Sequence, residues 1–481
     1  MYKNIRLFVV CILATLVLAS GSIYAQAPSG PWASGIACVN LDNTNAASIL
    51  LTFYSQDNST PVLTYSDTIP AGGSKTYFTP STPPGIPSNF VGSVVVASSA
   101  PVSCNVNTQK LSAGTPSDPY RIGTSSGVST SEAAPKIYAP QVMKNFGGWN
   151  SYIAVQNTES VSVTVTITYK DRYGNPVSAS ESFTIPPQST HIFYQNANPN
   201  LPNNFLGAAT ISSNDGTSKL AVVVNFYNSG SDPSTSQLHS YNGFVSGGNR
   251  LYVPRFVRKY YGYNSGLSIQ NIGNVNTTIQ ITFTFAGNTY IYTSPTPIAP
   301  GAALALYAPN ISEINNVDNL PEGQRFGNAI IEVLSGGPIV AIVNEDNRGG
   351  LGVPAERVGQ GATYNAIIDG TQTNTIFFPQ IPRNVSGVFS GGFQIANTTG
   401  TAATCNITYS GAPLANETNV PLPPNGSIAR YAPNVSNLPD GFNGSVTVTC
   451  SQPIVGISNL AVNPGSGRYG DSFTQNNGLN Q

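Results

Sequence analysis

The 481 residues contain 20 Lys and Arg against 21 Asp and Glu, so that 9% are charged and the formal net charge is −1. Nucleic acid and anionic membrane surfaces require clustered Lys and Arg, and this balance removes any argument for either as a partner. Aromatic residues make up 10% of the chain, enough apolar bulk for a folded protein whose solubility rests on Ser, Thr, Asn and Gly instead of charge.

Residues 1–25 begin with Lys3 and Arg6, pass through an apolar run from Leu7 to Leu18 and end in small residues. This pattern predicts a secretory signal peptide, too short in its apolar run to make a good membrane span. Pro28 disfavours cleavage after Ala27 and favours cleavage after Ala25. The chain is therefore expected to be secreted, extracellular or at the cell-envelope surface, with no transmembrane or lipid anchor.

One ten-residue phrase then recurs four times: PWASGIACVN (31–40), GWNSYIAVQN (148–157), GYNSGLSIQN (262–271) and VFSGGFQIAN (388–397). Each carries an aromatic landmark, Trp32, Trp149, Tyr263 or Phe389, and each closes on an Asn, at Asn40, Asn157, Asn271 or Asn397. The aromatics are 117, 114 and 126 residues apart, a domain-sized repeat, not a solenoid period. A proline followed seven positions later by tyrosine marks every copy, at Pro70/Tyr77, Pro187/Tyr194, Pro300/Tyr307 and Pro424/Tyr431. Next come IPSNFVG, LPNNFLG, LPEGQRFG and LPDGFNG, and an apolar strand closing at Asn107, Asn225, Asn344 or Asn459.

These landmarks divide the chain into repeat 1 (26–110), repeat 2 (136–228), repeat 3 (250–344) and repeat 4 (375–463). Segments 111–135, 229–249 and 345–374, rich in Gly, Ser and Thr, read as linkers, and 464–481 as a polar tail. Within a repeat the hydrophobic period is two. In VSVTVTITY, Val161, Val163, Val165, Ile167 and Tyr169 share one face, and Ile279, Ile281, Phe283 and Phe285 do so in repeat 3. About seven short strands per repeat and no convincing helix predict an all-β chain of four tandem immunoglobulin-like antiparallel β-sandwiches.

Cys11 lies in the leader, which leaves Cys38 and Cys104 in repeat 1 and Cys405 and Cys450 in repeat 4. Their parity with neighbouring apolar residues points all four inward. The expectation is two disulfides within repeats, each crossing a core and each worth about 2–4 kcal/mol.

The segments KIYAPQV (136–142), RLYVPRF (250–256) and TIFFPQI (375–381) read as an extra strand leading into repeats 2, 3 and 4. Repeat 1 has no counterpart, because Trp32 follows the expected cleavage site by seven residues. Either residues 26–31 or the tail sequence SFTQNNG covers the gap, or the edge is left open to another chain.

Ionisable chemistry is sparse. His191 and His239 have no carboxylate or nucleophile at a recognisable spacing, and no phosphate loop, metalloprotease motif or nucleophile elbow occurs. No catalytic residue, cofactor or metal site is expected. The acidic cluster Asn344–Asn347 with Asp369 has oxygen ligands suited to calcium, but it occurs in repeat 3 alone and reads better as a solvated loop. The aromatic landmarks could stack on sugars, yet each opens an inward-reading strand and fits a core or junction plug. Tyr77, Tyr194, Tyr307 and Tyr431 read as buried rings whose hydroxyls bond the backbone near a corner. Tyr260, Tyr261 and Tyr263, with Arg258 beside them, form the best candidate for an exposed ligand patch. Ten N-x-S/T sequons occur, seven of them between Asn384 and Asn443.

The aromatic-led opening phrase, the Tyr-x-Pro lead-in and the LPxxFxG step followed by PIVxxxN resemble a group of uncharacterised bacterial secreted proteins made of tandem β-sandwich repeats. The resemblance spans nearly all of the chain after the leader and implies an envelope or extracellular setting without an assigned activity. The expected function is non-enzymatic: a cell-surface or extracellular structural and adhesive scaffold. The alternative is a glycan-binding repeat array using exposed aromatics. The partners expected are other surface proteins, copies of itself or extracellular polysaccharide.

Overall fold

A computed structural model describes residues 8–11, 30–115, 117–228, 236–349, 353, 355–463 and 465–480. The fold is all-β, in antiparallel sheets, and the helix among the described residues consists of 3-10 turns of three to eight residues. Two compact units result, the first built from repeats 1 and 2 and the second from repeats 3 and 4.

Period two dictates which faces are buried. Along Thr278–Phe285, Ile279, Ile281, Phe283 and Phe285 are fully buried while the intervening Thr and Gln side chains are half-buried. Val163, Val165, Ile167 and Tyr169 behave likewise, but Val161 precedes its strand and is 61% exposed.

In repeat 3 the first sheet is ordered Asn288–Thr293, Thr278–Phe285, Phe326–Ser335, Arg250–Val257, Ile367–Ile368. The second is ordered Ala303–Tyr307, Tyr263–Asn271, Ile339–Asn347, Gly361–Asn365. Both sheets contribute side chains to one apolar cluster, including Leu251, Phe283 and Ile331 from the first and Leu267, Ile269 and Ala341 from the second. Repeat 1 follows the same order, and repeat 2 does so with an isolated Tyr138–Phe244 bridge in place of the fifth strand of its first sheet. In repeat 4 a single strand, Asn443–Val462, pairs first with Thr373–Pro382 and Ala403–Tyr409 and then with Phe389–Asn397, so its sheets are continuous.

The Gly/Ser/Thr-rich connections contain strands, among them Ile122–Ser126, Leu238–Asn242 and Gly361–Asn365, and the polar tail contributes Phe473–Asn477 to repeat 4. Inside the first unit, Asn242 donates its Nδ2 to the Ser126 carbonyl at 2.8 Å and accepts the Ser126 N–H at 3.0 Å. In the second unit Asn477 makes the same pair of bonds to Asn365, at 2.7 and 3.0 Å. Two neighbouring repeats are joined by one device in both units.

The lead-in strands take corresponding places, pairing antiparallel with Phe205–Ser213, Phe326–Ser335 and the first half of Asn443–Val462. Each ladder shifts register around its proline, between Ala139 and Val142, Val253 and Phe256, and Phe378 and Ile381. Proline has no N–H to give the ladder, and a bulge accommodates it. In repeat 1 the same place, expected to lack a counterpart, is occupied by Phe8–Cys11, from the apolar run between Leu7 and Leu18, paired with Gly92–Ser98 and Val128–Ser129.

The recurrent Asn closing each opening phrase has a structural cause. Asn40, Asn157, Asn271 and Asn397 are buried, and each donates its Nδ2 to the carbonyl of a residue four or five positions on and to carbonyls at the end of a distant hairpin. Each Oδ1 accepts the backbone N–H two residues later. One buried side chain thus satisfies carbonyls of both the turn and the hairpin end.

Both disulfides form, Cys38 with Cys104 and Cys405 with Cys450, but neither crosses between sheets. Each joins directly opposed residues on adjacent antiparallel strands with Cα atoms 4.0 Å apart, a separation at which facing β carbons are close enough to bridge within one sheet.

The landmark tyrosines also depart from expectation. Tyr77 is buried and donates to Asp67 at 3.0 Å, and Tyr307 donates to Asp346 at 3.1 Å, carboxylates in place of backbone. Tyr194 is half-buried and packs on Tyr152, whereas Tyr431 is 42% exposed. The tyrosines that do bond backbone are Tyr241, to the Gln141 carbonyl at 2.7 Å, and Tyr364, to the Arg255 carbonyl. Each secures the residue after the bulge proline.

Candidate functional site: an aromatic and arginine-lined cleft

The run Lys259-Tyr260-Tyr261-Gly262-Tyr263 closes a tight hairpin. Tyr260 and Tyr263 exchange both backbone bonds, at 3.0 and 2.9 Å, around Tyr261 at φ 48° and Gly262 at φ 85°. Two successive positive φ values define the turn that matches the twist of a hairpin. A β carbon at Gly262 would lie 2.6 Å from Asn347 Oδ1 and 2.7 Å from Val353, so glycine is required there. At the corresponding turn of repeat 2 the first central residue is Gly147, φ 56°. Repeat 3 instead holds a bulky tyrosine in a left-handed conformation that side chains avoid, and leaves that tyrosine 40% exposed.

Tyr260, Tyr261 and Tyr263 line a cleft of about 730 Å³ within the second unit, opposite Tyr431, Arg430 and Phe473 of repeat 4. Tyr260 meets Tyr261 edge-on at 4.8 Å and Phe326 at 5.6 Å. Tyr263 packs on Phe473 at 5.4 Å, and its hydroxyl donates to Gln360 Oε1.

Three arginines enter the same lining. Arg255 pairs bidentately with the buried Glu345 at 2.7 and 2.8 Å and lies 5.4 Å from the Tyr260 ring centre. Burial disfavours its charge, but Glu345 outweighs that, and the guanidinium is held above its ordinary value. Arg430 is bound by Glu417 at 2.7 Å. Arg357, 5.9 Å from the Tyr261 ring centre, has no ion-pair partner among the described residues. Among the described residues it is thus the lining arginine that no carboxylate engages, with an aromatic face beneath it.

Burial raises the hydroxyls of Tyr260, Tyr263 and Tyr431 above the ordinary tyrosine value. All three stay neutral at physiological pH, and the cleft offers fixed cations, neutral hydroxyls, amides from Gln360, Gln394 and Asn459, and flat rings. Such a set suits stacking and hydrogen bonding more than proton transfer.

Arg258 does not belong to this patch. It is buried against its own repeat, bonded to Asp318 at 2.8 and 3.1 Å, to Asn315 at 2.7 Å and to the carbonyls of Ala308 and Ile311. A guanidinium with so many fixed acceptors anchors the 3-10 segment Ser312–Asn319 and presents nothing outward. The other aromatic landmarks are in contact with neighbouring side chains: Trp32 is buried, Trp149 packs edge-on against Phe226 at 5.6 Å, and Phe389 lies under Arg468 at 5.4 Å.

The acidic cluster is strand, not loop: Ile339–Asn347 carries it, with Glu345 buried beneath Arg255 and Asp346 paired with Arg348 at 2.6 Å. Asp369 accepts from Tyr252 at 2.8 Å. No group of three metal-ligating side chains occurs among the described residues. His191 gains a carboxylate that spacing could not reveal, with Asp57 at 2.8 Å across 134 residues, and stacks on Phe183 at 3.6 Å. His239 is buried and stacked on Phe226 at 4.6 Å. Sequence reasoning missed Arg357, Arg430 and Gln360, which lie in no motif, and it misjudged Tyr431, whose ring faces the cleft only because repeat 4 packs on repeat 3.

No family profile and no curated protein matches the chain. Among solved structures, a Thermotoga maritima protein aligns at 18% identity over 26% of this chain and 97% of its own, with a TM-score of 0.20. A Ca2+-stabilized adhesin with which an Antarctic bacterium binds ice aligns at 9% identity over 93% of this chain and 94% of its own, with a TM-score of 0.12. Likeness at these scores carries no argument about fold or function.

Proposed function

We propose that the chain is a non-enzymatic, secreted structural and adhesive protein of the cell surface or extracellular space, four immunoglobulin-like sandwiches following a signal peptide, and that it holds extracellular polysaccharide in the cleft of its second unit. The observation that carries this reading is Arg357, without an ion-pair partner among the described residues, above the exposed ring of Tyr261. An aromatic face supplies the apolar contact that sugar rings need, and the guanidinium favours a saccharide bearing carboxylate or sulfate. Two disulfides are in keeping with an oxidising compartment.

The test is titration of purified residues 26–481 with acidic and neutral polysaccharides. Binding of the acidic class, weakened at least about tenfold by Tyr261→Ala and by Arg357→Ala, is expected. Equal binding by wild type and both variants, or no binding to any polysaccharide, would refute the reading.

A further inference from the structure

Repeat 1 differs from the others in the origin of one strand. Repeats 2, 3 and 4 take their lead-in strand from the chain just upstream: Lys136–Lys144, Arg250–Val257 and Thr373–Pro382. At the matching places the inward positions are Ile137 and Ala139, Leu251 and Val253, and Ile376 and Phe378, all at most 1% exposed. They pair with Ile211 and Ala209, Ile331 and Ala329, and Val448 and Val446. In repeat 1 the equivalents of those partners are Val96 and Val94, and they pair with Val9 and Cys11. The strand that completes repeat 1 is thus part of the leader.

Among the described residues its ladder ends at Cys11. Phe8–Cys11 has four residues against nine, eight and ten in the other lead-ins. Past their proline bulges the others continue to Val142, Phe256 and Ile381, opposite Gly207, Gly327 and Gly444. The equivalent Gly92 has no partner in the Phe8–Cys11 ladder.

Leader cleavage anywhere between Cys11 and Trp32 removes this strand and leaves the edge of Gly92–Ser98 facing Val128–Ser129 across one strand width. The new N-terminus is too short to replace it: the other lead-ins start thirteen or sixteen residues before their aromatic landmark, and cleavage after Ala25 leaves six before Trp32. The tail cannot serve either, since Phe473–Asn477 is paired within repeat 4.

We propose that the mature protein carries a strand-acceptor slot in repeat 1, and that its occupant is an extended segment of a different polypeptide with the pattern apolar-x-apolar-Pro-x-apolar. That pattern is what the three intact repeats place in the slot, as Ile-Tyr-Ala-Pro-Gln-Val, Leu-Tyr-Val-Pro-Arg-Phe and Ile-Phe-Phe-Pro-Gln-Ile. Main-chain bonds to both neighbours supply affinity and the inward side chains supply selection. A second copy of this chain is the poorer donor, because its three such segments are already buried in its own repeats and lending one vacates a slot for each slot filled. The inference rests on the secretory-leader reading made above.

The experiment begins with N-terminal sequencing of the secreted protein, then titrates that protein with the peptide KIYAPQVMK, the sequence of residues 136–144. One peptide is expected to bind per chain, and to slow hydrogen exchange at Gly92–Ser98, which without it exchanges faster than the matching Phe205–Ser213. A peptide with Ile137→Asp and Ala139→Asp should bind at least about tenfold more weakly, because it would bury two carboxylates. A secreted protein still carrying residues 8–11 overturns both the leader reading and the slot. A cleaved protein that ignores the peptide and already protects Gly92–Ser98 overturns the slot alone. Mass that grows with concentration and that the peptide abolishes would make a second copy the occupant and overturn the heterologous donor.

Discussion

Asn157 donates its Nδ2 to the carbonyl of Ile185 at 3.0 Å, joining the end of one strand to a hairpin 28 residues away. The same amide nitrogen also reaches Val161 and Pro186, at 2.7 and 3.1 Å. One fully buried side chain therefore shares its two N–H groups among three carbonyls, one of them, Ile185, in a fully buried bond.

Asn157→Leu preserves size but leaves those carbonyls unpaired. It should destabilise the first unit by about 3 kcal/mol, the scale of orphaning buried polar groups, read as a lower denaturant midpoint with unchanged slope. A shift no larger than that of an exposed control such as Thr184→Leu would show that the recurrent Asn is dispensable.

Tyr261 pairs an unfavourable backbone with an exposed ring. Tyr261→Gly should leave the stability of the second unit unchanged or raise it by up to about 1 kcal/mol, since glycine adopts positive φ freely. The same substitution should abolish polysaccharide binding. Lost stability with intact binding would mark the ring as a packing element only.

Arg357→Gln should remove the preference for acidic over neutral saccharides and flatten the salt dependence of binding, because screening acts on the charge and not on the stacking ring. Isothermal titration at low and high salt reads both effects.

Repeat 2 places Val155 opposite Val222 where repeat 1 has Cys38 opposite Cys104. Cys38→Val with Cys104→Val should therefore fill the same space while losing the crosslink across a separation of 66 residues, at a cost of about 2–4 kcal/mol. Thermal denaturation of the double variant beside reduced wild type measures it, and equal midpoints for variant and oxidised wild type would show that the bridge adds nothing.

Burial alone would raise the Asp318 carboxyl, but hydrogen bonds from Arg258 and Lys259 outweigh it and hold it below its ordinary value of 3.8. A depressed carboxylate contributes stability that is present above its unfolded value and lost as pH falls through the folded one. The second unit should accordingly weaken below about pH 4, and Asp318→Asn should be less stable at neutral pH with a flatter acid limb. An acid limb of unchanged slope in the variant would place the acid sensitivity elsewhere.

Much of the architecture was determined locally. Strand faces follow from period two in runs such as Ile279 to Phe285, and the four Asn landmarks mark positions where the backbone needs one particular side chain. The cysteine partners were readable too, since only two lie in each terminal repeat. What the tertiary structure alone decided are relations across sheets and between repeats. Parity gives the inward side of a cysteine but not whether its partner lies across the core or on the next strand. Proximity in sequence grouped Arg258 with Tyr260 and Tyr261, yet Arg258 is taken by Asp318 of its own repeat, while Arg255, Arg357 and Tyr431 came to the cleft from three separate segments. Contacts of that kind are set by the packing of one repeat on the next, and no local pattern encodes them.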